Sequence, residues 1–315
     1  RLSPAPRSFN FFVAMKPDLL VLIPLKDNAK ADVAEHFEIH YVPKHADQTP
    51  EALAQYGGAR AVLTNGTVGC SAAQLAALLK VELVCALGAG YENIDLAAAR
   101  QRGIAVANGA GTNDSCVADH AMALLLATVR RIVQLDPYTR AGGWREALPP
   151  IPNVSGKRMG ILGLGTIGRQ IAKRGGGFDL EIGYHNRREV EGESYAYFGS
   201  PVELAAWADY LMVVTPGGPT TKHLVDAEVL EALGPQGYVV NVARGSVLDT
   251  TALAKALREG IIAGAGLDVY ESEPKPPVEL IDLKTLVITP HVAGTSPEAT
   301  GASVRRFIDN ATRFF

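Results

Sequence analysis

Arg244, Glu273 and His291 each follow a short apolar run in the second half of the chain, in "VVNVAR", "LDVYESE" and "LVITPH". Together, a guanidinium, a carboxylate and an imidazole suit one kind of reaction. A His gives or takes a proton near neutral pH. A neighbouring carboxylate raises the imidazole's pKa and fixes its orientation. An Arg holds a carboxylate by paired hydrogen bonds and polarises an adjacent keto oxygen. The set fits hydride transfer to a 2-keto acid, whose new hydroxyl needs a proton. Singly, each residue has a plainer explanation. A lone His after a strand is more often structural, Glu273 precedes the proline-rich turn "EPKPP", and Arg244 has Asp249 and Asp268 as candidate ion-pair partners. The reaction reading gains weight only if the chain also carries a source of hydride.

"GLGTIG", with Gly163, Gly165 and Gly168, supplies the required context. A GxGxxG alone is a weak signal, but this one follows the apolar strand "RMGIL" and opens the helical "TIGRQIAK". Gly163 permits a tight turn, Gly165 lets the backbone approach a pyrophosphate, and Gly168 lets helix and strand pack closely. The next strand ends in "YHNRRE", where a site for NAD would place an acid to bind the ribose 2′-hydroxyl. Asn186, Arg187 and Arg188 stand there instead. Two guanidiniums suit a 2′-phosphate, which an acid would repel, so NADP(H) is expected in preference to NAD(H). The alternative is a solvated basic turn partly neutralised by Glu189.

Residues in these roles need a scaffold that collects strand ends. From Asp18 onward, short apolar runs alternate with helical stretches: "DLLVLIP", "ARAVLTNG", "VELVCALGAG", "GIAVANG", and, after "RMGIL", the runs "EIGYHN", "ADYLMVVTP", "GYVVNVARG", "AGAGLDVY" and "TLVITPH". This rhythm predicts parallel sheets with helices on both faces, in two α/β halves. In such sheets ligands bind beyond the carboxyl ends of the strands, where all three candidate residues fall. Between the halves, a long helix is expected from about Asp114 to about Leu135, capped by Asn113 or Asp114 and ended by Pro137. Its centre is apolar nearly all round, which places it between domains or subunits. Three consecutive glycines, Gly175 to Gly177, predict a mobile helix exit.

Composition narrows the remaining classes. The 315 residues are 47% hydrophobic and 20% charged, which is globular and favours two domains. A net charge of −3 argues against nucleic acid as a main partner. Cys70, Cys85 and Cys116 are widely spaced, which fits buried apolar roles in a reducing compartment and no metal site. No apolar run is long enough to span a membrane. A cytoplasmic location follows as an expectation. Residues 1–14 have a different character and are expected to be a leader or tag before Met15.

"GAGYENID", "GTNDSCVADHAMALLLA", "GILGLGTIGRQIA", "VVNVARGSVLD", "AGLDVYESEP" and "ITPHVAG" occur in one order. In that order they resemble the D-2-hydroxyacid dehydrogenase family, from about Asp18 to the C-terminus, and within it the NADPH-dependent glyoxylate/hydroxypyruvate reductases. The resemblance implies two Rossmann-like domains with parallel sheets. Residues 15–103 and 287–315 would form the substrate domain, with a dinucleotide-binding domain, 104–286, inserted. It implies that Arg244 binds substrate, that His291 is the acid/base and Glu273 its partner, and that Leu87, Gly88, Ala89 and Gly90 offer backbone N–H groups to the substrate carboxylate. The cofactor set it implies comprises Gly163, Gly165, Thr166, Ile167, Gly168, Asn186, Arg187, Arg188, Thr215, Pro216 and Gly294, with Asp268 at the nicotinamide end. It further implies a homodimer built on the long helix and the arm around Trp144, and a catalytic cleft between domains. The expected reaction reduces a small 2-keto acid of glyoxylate or hydroxypyruvate type to the D-2-hydroxy acid. The alternatives are reduction of 2-ketogluconate or aryl pyruvates, decided by pocket size near Thr64 to Gly69, and a non-enzymatic dinucleotide-sensing scaffold of corepressor type.

Overall fold

The computed structural model describes residues 15–315; the expected leader or tag, residues 1–14, lies outside the described residues. The chain divides into two compact units. One runs to Gly109 and resumes at Ser303–Phe315, and the other is Ala110–Ala302.

The first unit holds five parallel strands: β1 (Asp18–Val21), β2 (Glu38–Tyr41), β3 (Ala61–Thr64), β4 (Leu83–Ala86) and β5 (Ala105–Asn108), in the order β2-β1-β3-β4-β5. Every residue of β3 and β4 is buried, as continuous apolar runs in a sheet covered on both faces should be. Leu20, Val62 and Val84 pack on one face with Leu53, Leu75 and Ala99. On the other, Leu19, Leu63 and Cys85 pack with Val33, Phe307 and Ala311. Phe307 and Ala311 come from the last helix, Pro297–Phe314, so burial of its apolar face returns the chain end to the first sheet.

The second unit holds seven parallel strands: β6 (Arg158–Leu162), β7 (Glu181–His185), β8 (Ala196–Tyr197), β9 (Tyr210–Val213), β10 (Tyr238–Asn241), β11 (Gly264–Leu267) and β12 (Leu286–Ile288). Their order is β12-β11-β10-β9-β6-β7-β8. The chain moves from β6 outward to β8, then crosses back to β9 on the other side of β6. That reversal opens a crevice at the carboxyl ends of β6 and β9, where doubly wound sheets take ligands. Ser200, Asp226 and Asp249 each accept an N–H three residues on, which starts the following helix at a defined point.

The two parallel α/β units are those the strand rhythm predicts, and three details differ from expectation. First, β5 pairs with β4 and β12 pairs with β11. The compact units divide at 109/110 and 302/303, beside the expected boundaries 103/104 and 286/287. Second, the long helix is two helices, Asp114–Val129 and Ile132–Arg140. Arg131 between them is left-handed, with φ 56°. Pro137 lies inside the second helix and does not end the first; its cost is the one missing N–H to the Val133 carbonyl. Asn113 occupies the N-cap position without a side-chain capping bond. Third, Gly175 is buried in the last turn of the helix Thr166–Gly176. A Cβ there would meet Ile182 Cδ1 at 3.0 Å and Met159 Sδ at 3.2 Å, so close packing on the sheet accounts for this glycine.

Candidate active site

Arg244, Glu273 and His291 follow three adjacent strands of the second sheet. In register, Asn241 of β10 faces Leu267 of β11, which faces Ile288 of β12. All three side chains therefore leave one edge of the sheet. Two buried polar residues, Asn241 and Asp268, shape these exits.

After β10, the Asn241 side chain, 1% exposed, folds the chain on itself. Its Oδ1 accepts the Ala243 N–H at 3.0 Å and its Nδ2 donates to the Arg244 carbonyl at 3.1 Å. Gly217 lies against the Arg244 stem, where a Cβ would come within 2.7 Å of Cγ. Gly245 is required next, because a Cβ would stand 2.1 Å from the Tyr270 carbonyl carbon. The two carboxylates named as plainer partners for Arg244 also have structural work of their own. The Asp249 carboxylate caps the helix Thr250–Arg258, and Asp268 accepts hydrogen bonds from the turn after β12.

After β11, Glu273 turns back so that Oε1 accepts the Tyr270 N–H at 2.9 Å. Its Oε2 lies 2.8 Å from His291 Nδ1, which orients the ring and leaves Nε2 as the free nitrogen. The pairing with Glu273 raises the His291 imidazole above its ordinary value, against burial and the Arg244 charge. Burial pushes the Glu273 carboxyl up, but His291, the Tyr270 N–H and Arg244 outweigh it and hold the carboxyl below the usual range. Both shifts favour a proton on the imidazole next to an ionised carboxylate. His291 has φ 54°, in the left-handed region.

The glycine loop lies at the switch point. Gly163 has φ 107°, and a Cβ would meet the Thr215 nitrogen at 2.9 Å. A Cβ at Gly168 would stand 2.4 Å from the Gly163 carbonyl oxygen and 3.2 Å from Ile161 Cγ2, so the close packing of helix and strand expected there requires glycine. A Cβ at Gly165 would touch nothing within 4 Å. The helix N-terminus there presents the N–H groups of Thr166, Ile167 and Gly168. Beside it, Thr215 Oγ1 is buried with no hydrogen-bond partner among the described residues. An orphaned hydroxyl, free helix N–H groups and an open glycine backbone fit a bound pyrophosphate. Pro216 follows, its carbonyl accepting from Thr221 Oγ1 at 2.8 Å. Gly294 lies near the His291 turn, where a Cβ would come within 2.8 Å of Asn113 Nδ2.

The basic turn after β7 is braced from beneath. Val190 N–H donates to the Tyr184 hydroxyl at 3.0 Å, and the Tyr197 hydroxyl donates to the Asn186 carbonyl at 3.2 Å. The Asn186 side chain faces the glycine loop, its Oδ1 accepting the Leu164 N–H at 2.7 Å. It therefore ties the turn to the loop. Arg187 and Arg188 are exposed, and neither has an ion-pair partner among the described residues, Glu189 included.

In the first unit, Leu87 to Gly90 follow β4. Leu87 N–H donates to the Thr64 carbonyl at 2.7 Å, Gly109 N–H to the Gly88 carbonyl at 2.7 Å, and Asn108 Nδ2 to the Ala89 carbonyl at 2.7 Å. The Gly88 and Ala89 carbonyls are thus bonded. The N–H groups of Gly88, Ala89 and Gly90 have no acceptor among the described residues. With Gly88 at φ 89°, these consecutive donors are of the type that suits an anion.

Several supporting residues were not anticipated: Asn241, Tyr270, Thr289, Tyr184, Tyr197 and His120. Asn241 and Thr289 carried a signal, being polar at the ends of otherwise apolar strands. Tyr184 and Tyr197 carried none, since a tyrosine is unremarkable in a strand.

Comparison with known proteins shows which family the sequence and fold resemble. Residues 122–293 match the model of the D-isomer specific 2-hydroxyacid dehydrogenase, NAD binding domain, family. The chain is 35% identical to a hydroxyphenylpyruvate reductase of Plectranthus scutellarioides, over 94% of this chain and 95% of that protein. It is also 35% identical to a 2-ketogluconate reductase of Gluconobacter oxydans, over 96% of this chain and 97% of that one. Among solved structures, an NADPH-dependent glyoxylate/hydroxypyruvate reductase from Sinorhizobium meliloti, in complex with NADP and malonate, superposes with a TM-score of 0.89. It is 35% identical, covering 95% of this chain and 94% of that one.

Proposed function

The chain belongs to the D-isomer specific 2-hydroxyacid dehydrogenase family, and on that premise we propose that it reduces C2 of a small 2-keto acid with hydride from NADPH, giving the D-2-hydroxy acid. The observation that carries this reading is the 2.8 Å pairing of His291 Nδ1 with Glu273, one strand away from Arg244.

The dinucleotide, when bound, supplies the hydride. The N–H groups of Thr166, Ile167 and Gly168 and the Thr215 hydroxyl would hold its phosphates. Arg187 and Arg188 would hold a 2′-phosphate, and two unpaired guanidiniums on a braced turn support NADP(H) over NAD(H). Asp268 would serve the nicotinamide end. Arg244 clamps the substrate carboxylate and polarises the keto oxygen, so that negative charge developing on that oxygen meets a fixed cation. His291 Nε2–H then gives its proton to the oxygen, and Glu273 stabilises the imidazolium before the transfer. The Leu87–Gly90 backbone is assigned a carboxylate-binding role. A homodimer is supported by the apolar surface of the Ile132–Arg140 helix and its neighbouring arm: Ile132, Val133 and Trp144 are 56%, 53% and 65% exposed.

A steady-state panel of glyoxylate, hydroxypyruvate, 2-ketogluconate and an aryl pyruvate, each with NADPH and NADH, tests the reading. The expected result is NADPH oxidation by at least one small keto acid, with higher kcat/KM than for NADH. No oxidation of either cofactor by any of them would overturn it. Preference for 2-ketogluconate or the aryl pyruvate would select the second reading, which the names of two relatives support.

A further inference from the structure

A chain of polar groups lies behind the turn that carries His291. His120, on the helix Asp114–Val129, places Nε2 2.9 Å from Thr289 Oγ1 and 3.5 Å from Asp268 Oδ1. Thr289 Oγ1 donates to Asp268 Oδ1 at 2.6 Å. Asp268, only 1% exposed, then holds the turn. Its Oδ1 also accepts the Val292 N–H and its Oδ2 the Ala293 N–H, both at 2.9 Å. Its backbone carbonyl accepts the His291 N–H at 2.9 Å.

The direction of this chain is determined by counting protons. A hydroxyl carries one hydrogen. Spent on Asp268, it leaves Thr289 Oγ1 as an acceptor toward His120, so His120 carries a proton on Nε2. His120 donates to Thr289, Thr289 donates to Asp268, and Asp268 accepts from the two residues that follow His291. A carboxylate so placed has a single productive orientation. His291 depends on it, because φ 54° is a conformation that a side-chain-bearing residue keeps only when its surroundings over-determine it.

We propose that His120 and Thr289 are positioning residues for His291: they fix the Asp268 carboxylate, which fixes the Thr289–Ala293 turn and so aims the His291 ring at Glu273. Neither touches the reacting atoms. The inference rests on His291 as the proton donor. The plainer view of His120 is a histidine that happens to be satisfied in a helix packed on the sheet, and it makes no prediction about His291. The charged groups facing His291 are Glu273, Arg244 and Asp268; those near His120 are Asp268 and the Asp119–Arg174 pair one residue away.

The test uses the full chain with His120→Leu, His120→Gln, Thr289→Val and Thr289→Ser. The His291 imidazole is titrated by NMR with isotope-labelled histidine, its resonance identified by its loss in His291→Ala. Steady-state constants are measured alongside. We expect His120→Leu and Thr289→Val to lower the midpoint of the His291 titration and to reduce kcat by about tenfold, the loss of one partly buried hydrogen bond. His120→Gln and Thr289→Ser, which restore a donor at the same place, should return both toward wild type. A wild-type midpoint in His120→Leu and Thr289→Val would overturn the proposal, whatever their thermal stability, as would failure of both conservative variants to restore the midpoint. If His120→Leu does not fold, Thr289→Val and its Ser counterpart carry the test. The titration needs no turnover, so its failure is distinct from failure of the keto-acid reading, which appears as a wild type inactive with every substrate.

Discussion

Glu273→Gln removes a charge while keeping the shape of the side chain that orients His291. The Oε2–Nδ1 contact of 2.8 Å is a charge-assisted hydrogen bond when the ring is protonated, and such bonds contribute about 1.5–3 kcal/mol. The His291 side chain is 37% exposed, so solvent screens the pair and the lower end applies. At about 1.4 kcal/mol per decade, that is roughly a tenfold loss of the protonated, correctly aimed imidazole near neutral pH. The assay is kcat/KM for 2-keto acid reduction across pH in wild type and Glu273→Gln, with NADPH affinity measured separately. We expect about a tenfold lower kcat/KM near neutrality, partly recovered on the acid side where the ring protonates without help, and unchanged NADPH affinity. Equal activity in the two proteins with superimposable pH profiles would refute the reasoning, because it would mean that Glu273 does not support the proton on His291.

The remaining expectations concern cofactor choice, pH and packing. Replacing Arg187 and Arg188 with Ala should raise KM for NADPH on the order of tenfold or more while changing KM for NADH little, since each guanidinium–phosphate bond is worth about 1.5–3 kcal/mol before solvent screening; equal changes would remove the 2′-phosphate assignment. The raised pKa of His291 means that reduction, which consumes its proton, is full at low pH and declines as pH rises through that raised value, while oxidation of the hydroxy acid climbs over the same interval. Stability follows the same groups: the His291 contribution is present below its ordinary pKa and lost as pH rises through the raised value, and the Glu273 contribution is lost as pH falls through its depressed value. A pH-rate comparison in both directions, with melting curves, checks these signs. Gly245→Ala should cost about 1–3 kcal/mol of stability or more and lower turnover through displacement of Arg244, because its Cβ would lie 2.1 Å from the Tyr270 backbone; an unchanged Tm would count against that packing.

Much of this architecture was legible in the residues themselves. Buried parallel strands write continuous apolar runs, and a helix opened by GxGxxG requires glycines for reasons that can be stated one by one. Gly163 and Gly168 have those reasons in the structure, namely backbone contacts that a Cβ would violate. Arg244, Glu273 and His291 were readable because charged or titratable residues at the ends of apolar strands gather at one sheet edge. What was not legible depends on geometry beyond the local pattern. The left-handed Arg131 splits a helix that its apolar periodicity would continue, and Pro137 drew attention to the wrong place. Gly175 suggested looseness by propensity, whereas a neighbouring strand made it a packing requirement. The β5 and β12 boundaries depend on which strand each pairs with, which no local pattern encodes. His120 interrupts an apolar helix, but only the fold shows that Thr289 waits for it.

The central claim is that His291 supplies the proton for reduction of a 2-keto acid. His291→Ala tests it most directly, with NADPH binding followed by fluorescence titration and turnover measured on the best wild-type substrate. The account predicts that NADPH affinity stays near wild type while kcat falls by about a hundredfold or more, the usual contribution of a positioned general acid. Turnover close to wild type in a variant that still binds NADPH would contradict it.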